Sequence, residues 1–196
     1  MNKSTHSGAS GLNRRALSLL LGLAGCLTAP LSAAPPSVGD TAPGFTLPLA
    51  QGGKVELAQV LAKQPVVLVL LRGYPGYQCP LCQKQVQDFL RNAQAFTDAG
   101  VQLILVYPGE KEGLVERAKE FAADQMFPPN FHLALDPGYE FTNLYDLRWN
   151  KTGETAYPST FLINQRGVIT FAKISHSHGD RTTAAAILSE LKKMAQ

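Results

Sequence analysis

The chain has 196 residues, of which 45% are hydrophobic and 17% charged, with 17 Gly, 13 Pro and three Cys. That length and apolar content suit one domain with a buried core, and exclude disorder over most of the chain, a collagen-like repeat, a coiled coil and a multi-span membrane protein. The formal charge of +3 sits in the first 36 residues, where Lys3, Arg14 and Arg15 meet no acid; the rest carries 15 basic and 15 acidic residues, so no nucleic-acid footprint remains.

Arg14-Arg15 precede an apolar run from Ala16 to Gly25, interrupted only by Ser18. That run is about half of what a helix needs to cross a hydrocarbon core. A basic flank, a short apolar stretch and small residues beyond it predict an export signal over residues 1–25. Leu23-Ala24-Gly25-Cys26 resembles a lipobox, which makes Cys26 a candidate lipidation site and the only expected link to a membrane. Ser32 and Ala34 fit ordinary cleavage, but Pro35 would follow the cut. Residues 26–42 are rich in Pro, Ala and Ser and read as a tether, leaving 43–196 as the domain.

From Pro43 the chain alternates element types. Phe45–Leu47 and Lys54–Leu57, joined at Gly52-Gly53, predict a hairpin ahead of the core. Val66–Leu71 is a continuous apolar, β-rich run, the mark of a strand buried on both faces. Leu81, Val86, Phe89, Leu90, Ala93 and Phe96 then recur at helical spacing, with Gly100 as the stop. Val101–Tyr107 predicts a second buried strand and Leu114–Ala122 a second helix. His132–Leu135 predicts a short strand, with a turn at Asp136-Pro137-Gly138. Thr160–Asn164 and Val168–Lys173 flank Gln165-Arg166-Gly167 as a hairpin, and Asp180 is placed to cap a last helix containing Ile187, Leu188 and Leu191. The fold class is α/β: a central mixed sheet with helices on both faces and an extra N-terminal hairpin.

Chemistry enters where the first buried strand meets its helix, at Cys79-Pro80-Leu81-Cys82. Two sulfurs three residues apart on a helical first turn can form a small disulfide ring. The helix N-terminus offers free N–H groups and partial positive charge, which favour thiolate over thiol. Pro80 suits the first helical position, where its missing donor costs nothing. Cys79, expected to be the more exposed sulfur, would attack a partner disulfide, and Cys82 would resolve the mixed disulfide. Zinc would need a second ligand pair; His176 and His178 are the only candidates, and nothing local brings them to the sulfurs. An inert structural disulfide remains an alternative. Metal and prosthetic group are not required, because sulfur carries the electrons.

Three segments resemble the thioredoxin-like superfamily, and within it the alkyl hydroperoxide reductase and thiol-specific antioxidant (peroxiredoxin-like, redoxin) family. Val38–Phe45 is similar to that family's opening segment. Pro75–Cys82 resembles the peroxiredoxin pattern P-x-x-x-T-x-x-C, with Cys79 in the threonine place. Tyr157–Asn164 is similar to the segment carrying the thioredoxin cis-proline. The resemblance implies a thioredoxin-like fold from about Val38 to the C-terminus. In the peroxiredoxin reading Cys82 is the peroxidatic thiolate, its sulfenic acid condensing with Cys79. That family's Thr, Arg and Glu are absent, with Cys79, Pro158 and Gln85 in their places, and Arg72, Arg148 or Arg166 are the candidate substitutes for the Arg. In the thioredoxin-like reading Cys79 attacks, and a cis Pro158, with Tyr77 and Thr160, borders the substrate.

The departures favour dithiol–disulfide exchange, with thiol peroxidase as the alternative and a redox-inert binding module as the third reading. Arg72 is a candidate thiolate stabiliser or a strand-end ion-pair group. Tyr74 and Tyr77 fit a substrate groove or loop packing, Trp149 fits edge packing, and His176 and His178 fit proton shuttling or a solvated loop. The expected partners are a thiol or disulfide protein or reductant, or a hydroperoxide, in the periplasm after export.

Overall fold

A computed structural model describes residues 34–194. The expected export signal, Cys26 and the first part of the expected tether therefore lie outside the described residues. Among those described, no helix is long and apolar enough to cross a membrane.

Thr46–Pro48 (β1) and Lys54–Glu56 (β2) form the expected antiparallel hairpin. Leu57, read as the end of that hairpin, instead opens a short helix, Leu57–Leu61 (α1). Its two buried residues, Leu57 and Leu61, are four apart, so one turn places both on the sheet. Val66–Leu70 (β3) follows, then Pro80–Arg91 (α2), Ala93–Asp98 (α3) and Gln102–Gly109 (β4). The continuous 81–96 helix expected from spacing is thus broken. Asn92 (φ −105°, ψ 16°) leaves the helical region, and its Nδ2 donates to the Asp88 carbonyl at 2.8 Å, a local bond that competes with the helix ladder. Phe89 and Phe96 still pack edge to face across the break, with ring centroids 5.7 Å apart, so the apolar face continues while the axis does not. Gly100, at φ 66°, supplies the left-handed stop.

Leu114–Ala122 (α4) falls where the sequence placed it, and Phe131–Pro137 (β5) contains the expected His132–Leu135 strand but also takes in Asp136 and Pro137, read as part of a turn. A further helix, Glu140–Leu144 (α5), was not expected. The buried Asp136 carboxylate organises it, accepting the N–H groups of Phe141 at 2.8 Å and Thr142 at 2.9 Å. Ser159–Ile163 (β6) and Ile169–Ile174 (β7) form the C-terminal hairpin, and Ala184–Met194 (α6) closes the chain. Asp180 does not cap α6: it pairs with Lys173 at 2.7 Å, while the Asp88 carboxylate accepts the Ala184 N–H at 2.7 Å. The helix starts too late for Asp180 to reach, and the local cap is Thr183, whose Oγ1 accepts the Ala186 N–H at 3.3 Å.

The main sheet has the order β5-β4-β3-β6-β7, with β3, β4 and β5 parallel and β6 and β7 antiparallel to their neighbours. Period-two alternation sends Val67, Val69 and Leu71 into one core and Val66, Leu68 and Leu70 into the other. The first core packs under α2, α3, α4 and α6; the second packs under α1, α5 and the N-terminal hairpin. Both faces of β3 are fully buried, which is why its sequence shows no polar alternation. The two cysteines belong to the first core.

The loop that carries β3 to α2 passes close to the end of β4. Gly73 has φ 68°, and a Cβ there would lie 1.9 Å from the Pro108 carbonyl oxygen. Both the left-handed backbone and the close approach require glycine. Gly73→Ala should lower unfolding free energy by about 2–5 kcal/mol, read by urea denaturation, and should disturb the dithiol loop first.

Candidate active site

Cys79 is the N-cap of α2, with extended backbone (φ −73°, ψ 111°), Pro80 takes the first helical position, and Cys82 lies one turn in. Both cysteines are free thiols. Cys79 is 3% exposed and Cys82 not at all, so the expected contrast in exposure is small and both sulfurs are enclosed. Their environments still push the two thiols apart. The Cys82 thiol donates toward the Cys79 sulfur and, against the opposing effect of burial, brings the Cys79 pKa down to about 5. The backbone of Cys82, the charge of Arg181 and the Leu81 N–H act in the same direction. The Cys82 N–H itself is donated to the Cys79 carbonyl at 3.1 Å, so its effect on the sulfur is that of a nearby dipole. Burial first, and the neighbouring Cys79 second, push the Cys82 thiol well above its ordinary value.

Arg181 was missed in the sequence. It sits in the segment before α6, and its Nη2 lies 3.8 Å from the Cys79 sulfur. Its Nη1 donates to Gln85 Oε1 at 3.1 Å and its Nε to the His178 carbonyl at 2.8 Å. Gln85 is buried on α2 and its Nε2 donates to the Thr182 carbonyl at 3.1 Å, so the guanidinium is held in place from two sides. No local pattern announces it, because it approaches Cys79 from 102 residues away.

Arg72 reaches the site differently from the expectation. Its backbone N–H donates to the Cys82 sulfur at 3.3 Å. Its buried guanidinium is committed elsewhere: Nε to Glu154 at 2.7 Å, Nη1 to the Tyr77 hydroxyl at 2.6 Å and Nη2 to the Gly153 carbonyl at 2.6 Å. The strand-end ion pair is therefore the reading that fits its side chain. Burial opposes the Arg72 charge, and the bonds to Tyr77 and Glu154 more than offset it. Glu154 also accepts from His178 Nε2 at 2.9 Å. Neither Arg148 nor Arg166 contacts a sulfur: Arg148 lies over the Tyr139 ring at 3.9 Å, and Arg166 sits in the turn between β6 and β7.

Of the proposed substrate-side residues, Tyr77 is half exposed, but Pro158 and Thr160 are buried. Among the described residues no peptide bond is cis, so Pro158 is trans, contrary to expectation. The backbone it was expected to offer is already paired: the Tyr157 N–H donates to Leu147, and the Pro158 carbonyl accepts from Ser175. Thr160 lies inside β6, between Val69 and Lys173. Trp149 stacks on Tyr157 at 4.7 Å, with His176 against Tyr157 and His178 against Trp149. That cluster is edge packing as read for Trp149, and it brings His178 into the Arg72–Glu154 group. Tyr74 lies under the Arg117 guanidinium at 4.6 Å. Gln78 accepts from the Tyr107 hydroxyl at 2.8 Å and donates to the Arg117 carbonyl at 2.9 Å, which ties the loop before Cys79 to α4. Among the described residues no cluster of His, Cys, Asp and Glu suits a metal ion.

A strand–dithiol–helix unit on this mixed sheet is the architecture of a thioredoxin-fold thiol oxidoreductase. Residues 38–172 match the AhpC/TSA family, and the chain belongs to it. It is 32% identical over 140 residues to a protein assigned as a peroxiredoxin in Mycobacterium tuberculosis, covering 69% of this chain and 83% of that one. It is also 24% identical over 131 residues to the thiol-disulfide oxidoreductase ResA of Halalkalibacterium halodurans, covering 67% and 65%. The crystal structure of the M. tuberculosis peroxidoxin BcpB superimposes with a TM-score of 0.62 at 21% identity, covering 80% of this chain and 97% of that one.

Three measurements follow from the geometry. The ultraviolet absorbance of the thiolate in the reduced protein should titrate with a midpoint near pH 5, and Arg181→Met should move it upward by about one pH unit. A thiol with a lowered folded-state value stabilises the fold fully above its unfolded value and loses that contribution as pH falls through the folded one. Reduced-protein stability should therefore rise between about pH 5 and 9, and the raised Cys82 value reverses the slope above that. Glu154→Ala, which strands the buried Arg72 guanidinium, should cost about 3 kcal/mol by denaturant unfolding.

Proposed function

We propose that this chain carries out dithiol–disulfide exchange with Cys79 as the attacking thiolate and Cys82 as the resolving thiol. The single observation behind this reading is the placement of the two sulfurs: Cys79 stands at the start of α2, 3.8 Å from the Arg181 guanidinium, and Cys82 lies wholly buried beneath it. That placement lowers the first thiol's pKa and raises the second's. Attack by the Cys79 thiolate on a partner disulfide forms a mixed disulfide and expels one partner thiolate. Cys82 then loses its proton, attacks the Cys79 sulfur, and releases the second partner thiol as the Cys79–Cys82 disulfide closes. The likeness to a thiol-disulfide oxidoreductase supports the reading. The proposed setting is outside the cytoplasm, from the leader pattern over residues 1–25, with Cys26 as lipid attachment point.

Peroxide reduction is the second reading, favoured by the enclosure of both sulfurs, which admits a small molecule more readily than a folded partner. The Arg72 N–H at the Cys82 sulfur and the peroxiredoxin relatives support it too. A peroxide would convert one thiolate to a sulfenic acid, releasing water or an alcohol, and the other thiol would condense with it, releasing a second water.

Purified reduced protein separates the two. Under exchange, insulin-disulfide reduction falls by at least about a hundredfold in Cys79→Ser, and Cys82→Ser accumulates a mixed disulfide on Cys79. If peroxide is consumed in Cys79→Ser at near the wild-type rate with excess thiol, but not in Cys82→Ser, the peroxidase reading replaces it.

A further inference from the structure

The first core is not closed on every side. Its sheet ends at the outer strand β5, and α4 stops at Ala122, so residues 123–130 carry the chain from helix to strand around an opening. A cavity of about 600 Å³ lies there, between the end of α4, the start of β5 and the Ala50-Gln51 turn. Its volume is within the roughly 300–1,000 Å³ range of small-molecule sites. Phe131 and Leu133, on its wall, belong to the first core, and Ala50, Ala122 and Phe127 pack at that core's margin. Met126, next in the chain to Phe127, is 92% exposed, more than any other large apolar side chain among the described residues. An occupant with an apolar body would continue the core into space that is now open to water.

The polar groups of the wall fix the sign of that occupant. Lys119 is the one full charge among the lining residues, and no carboxylate lines the cavity. Among the described residues Lys119 has no carboxylate within ion-pair distance. His132 Nε2 is hydrogen-bonded to Gln102 Oε1 at 2.7 Å, and burial pushes its pKa below the ordinary value, so it adds no charge at pH 7. We infer that this cavity binds a small amphiphile, an apolar chain carrying one carboxylate, with the chain against Phe127, Phe131 and Leu133 and the head at Lys119. The concave shape suits a single chain better than the convex surface of a folded partner. The inference is independent of the redox cycle, because neither cysteine lines the cavity.

The test titrates the full chain with octanoate, decanoate and decanol below their aggregation limits, read by calorimetry. Decanoate should bind saturably at one site. Octanoate should bind about tenfold more weakly, since each buried methylene is worth about a fourfold change. Lys119→Glu, at an exposed position, should weaken decanoate about tenfold or more and leave decanol within about twofold. Ala123→Trp, also exposed, fills the cavity mouth and should abolish binding of both. The double variant Cys79→Ser, Cys82→Ser should bind decanoate like the wild type, whatever becomes of its redox activity. Absence of saturable decanoate binding, equal binding of octanoate and decanoate, or binding unchanged in both Lys119→Glu and Ala123→Trp would each overturn the assignment. So would a dimer that Ala123→Trp dissociates and decanoate does not, which gives the recess to a second copy. Binding to phosphatidylglycerol vesicles without uptake of free decanoate gives it to a membrane surface and overturns it too.

Discussion

One proton shared between two sulfurs governs the site. In the dry ground between β3 and α2 two thiolates side by side cannot be held, so the pair carries one negative charge and one S–H. Which sulfur keeps the charge is decided by the surroundings. Cys79 stands at the helix start with Arg181 beside it, while Cys82 is sunk in the core and receives a single backbone N–H. The same burial that makes Cys82 a reluctant thiolate makes its thiol a dependable donor to Cys79. Enclosure and activation are thus one arrangement, and opening the site to water would weaken both.

The scaffold supplies this through β3. Because its two faces are buried in separate cores, its end is fixed in position, and Leu71 extends the ladder by donating to Val106 at 2.9 Å. Arg72 comes next, its N–H aimed at Cys82 and its carbonyl accepting from the Thr155 hydroxyl. The left-handed turn at Gly73 then lets the loop fold back over β4.

The sheet and the dithiol were legible because they depend on local patterns. Unbroken apolar runs mark β3 and β4, and a C-x-x-C between a strand and a helix is visible in a few residues. The rest depends on contacts distant in sequence or on polar bonds that hydrophobic spacing does not register. The break at Asn92 is silent because Phe89 and Phe96 keep the helical period across it. The helix after Asp136 is too short to show a period, and only the paired N–H groups of Phe141 and Thr142 reveal what holds it. Asp180 carries the right residue type for a cap, yet the helix starts at Ala184, where Thr183 makes the local cap and Asp88 on another helix accepts the first N–H. Arg181 is the most consequential case. A lone arginine in a loop has no signature until folding brings it beside Cys79.

A chain of side chains spans the rim of the site. Tyr77 and Arg72 lead to Glu154, Glu154 to His178, and the His178 carbonyl to Arg181, which returns to Cys79. Three loops, those holding Tyr77, Glu154 and His178, are thereby fastened over two sulfurs that have almost no exposed surface. Reaction with anything larger than a peroxide requires one of these fastenings to release. The bonds most open to solvent are those made by Tyr77 and His178, which are 50% and 41% exposed, while Arg72 and Glu154 are 3% and 10%. A hydrogen bond made by an exposed side chain contributes little, whereas the buried Arg72–Glu154 pair is costly to break. The loops carrying Tyr77 and His178 are therefore the sides that can yield. Arg181, bonded to the His178 carbonyl, also touches the Cys79 sulfur, so displacing that loop would uncover the nucleophile and withdraw the cation beside it in one movement.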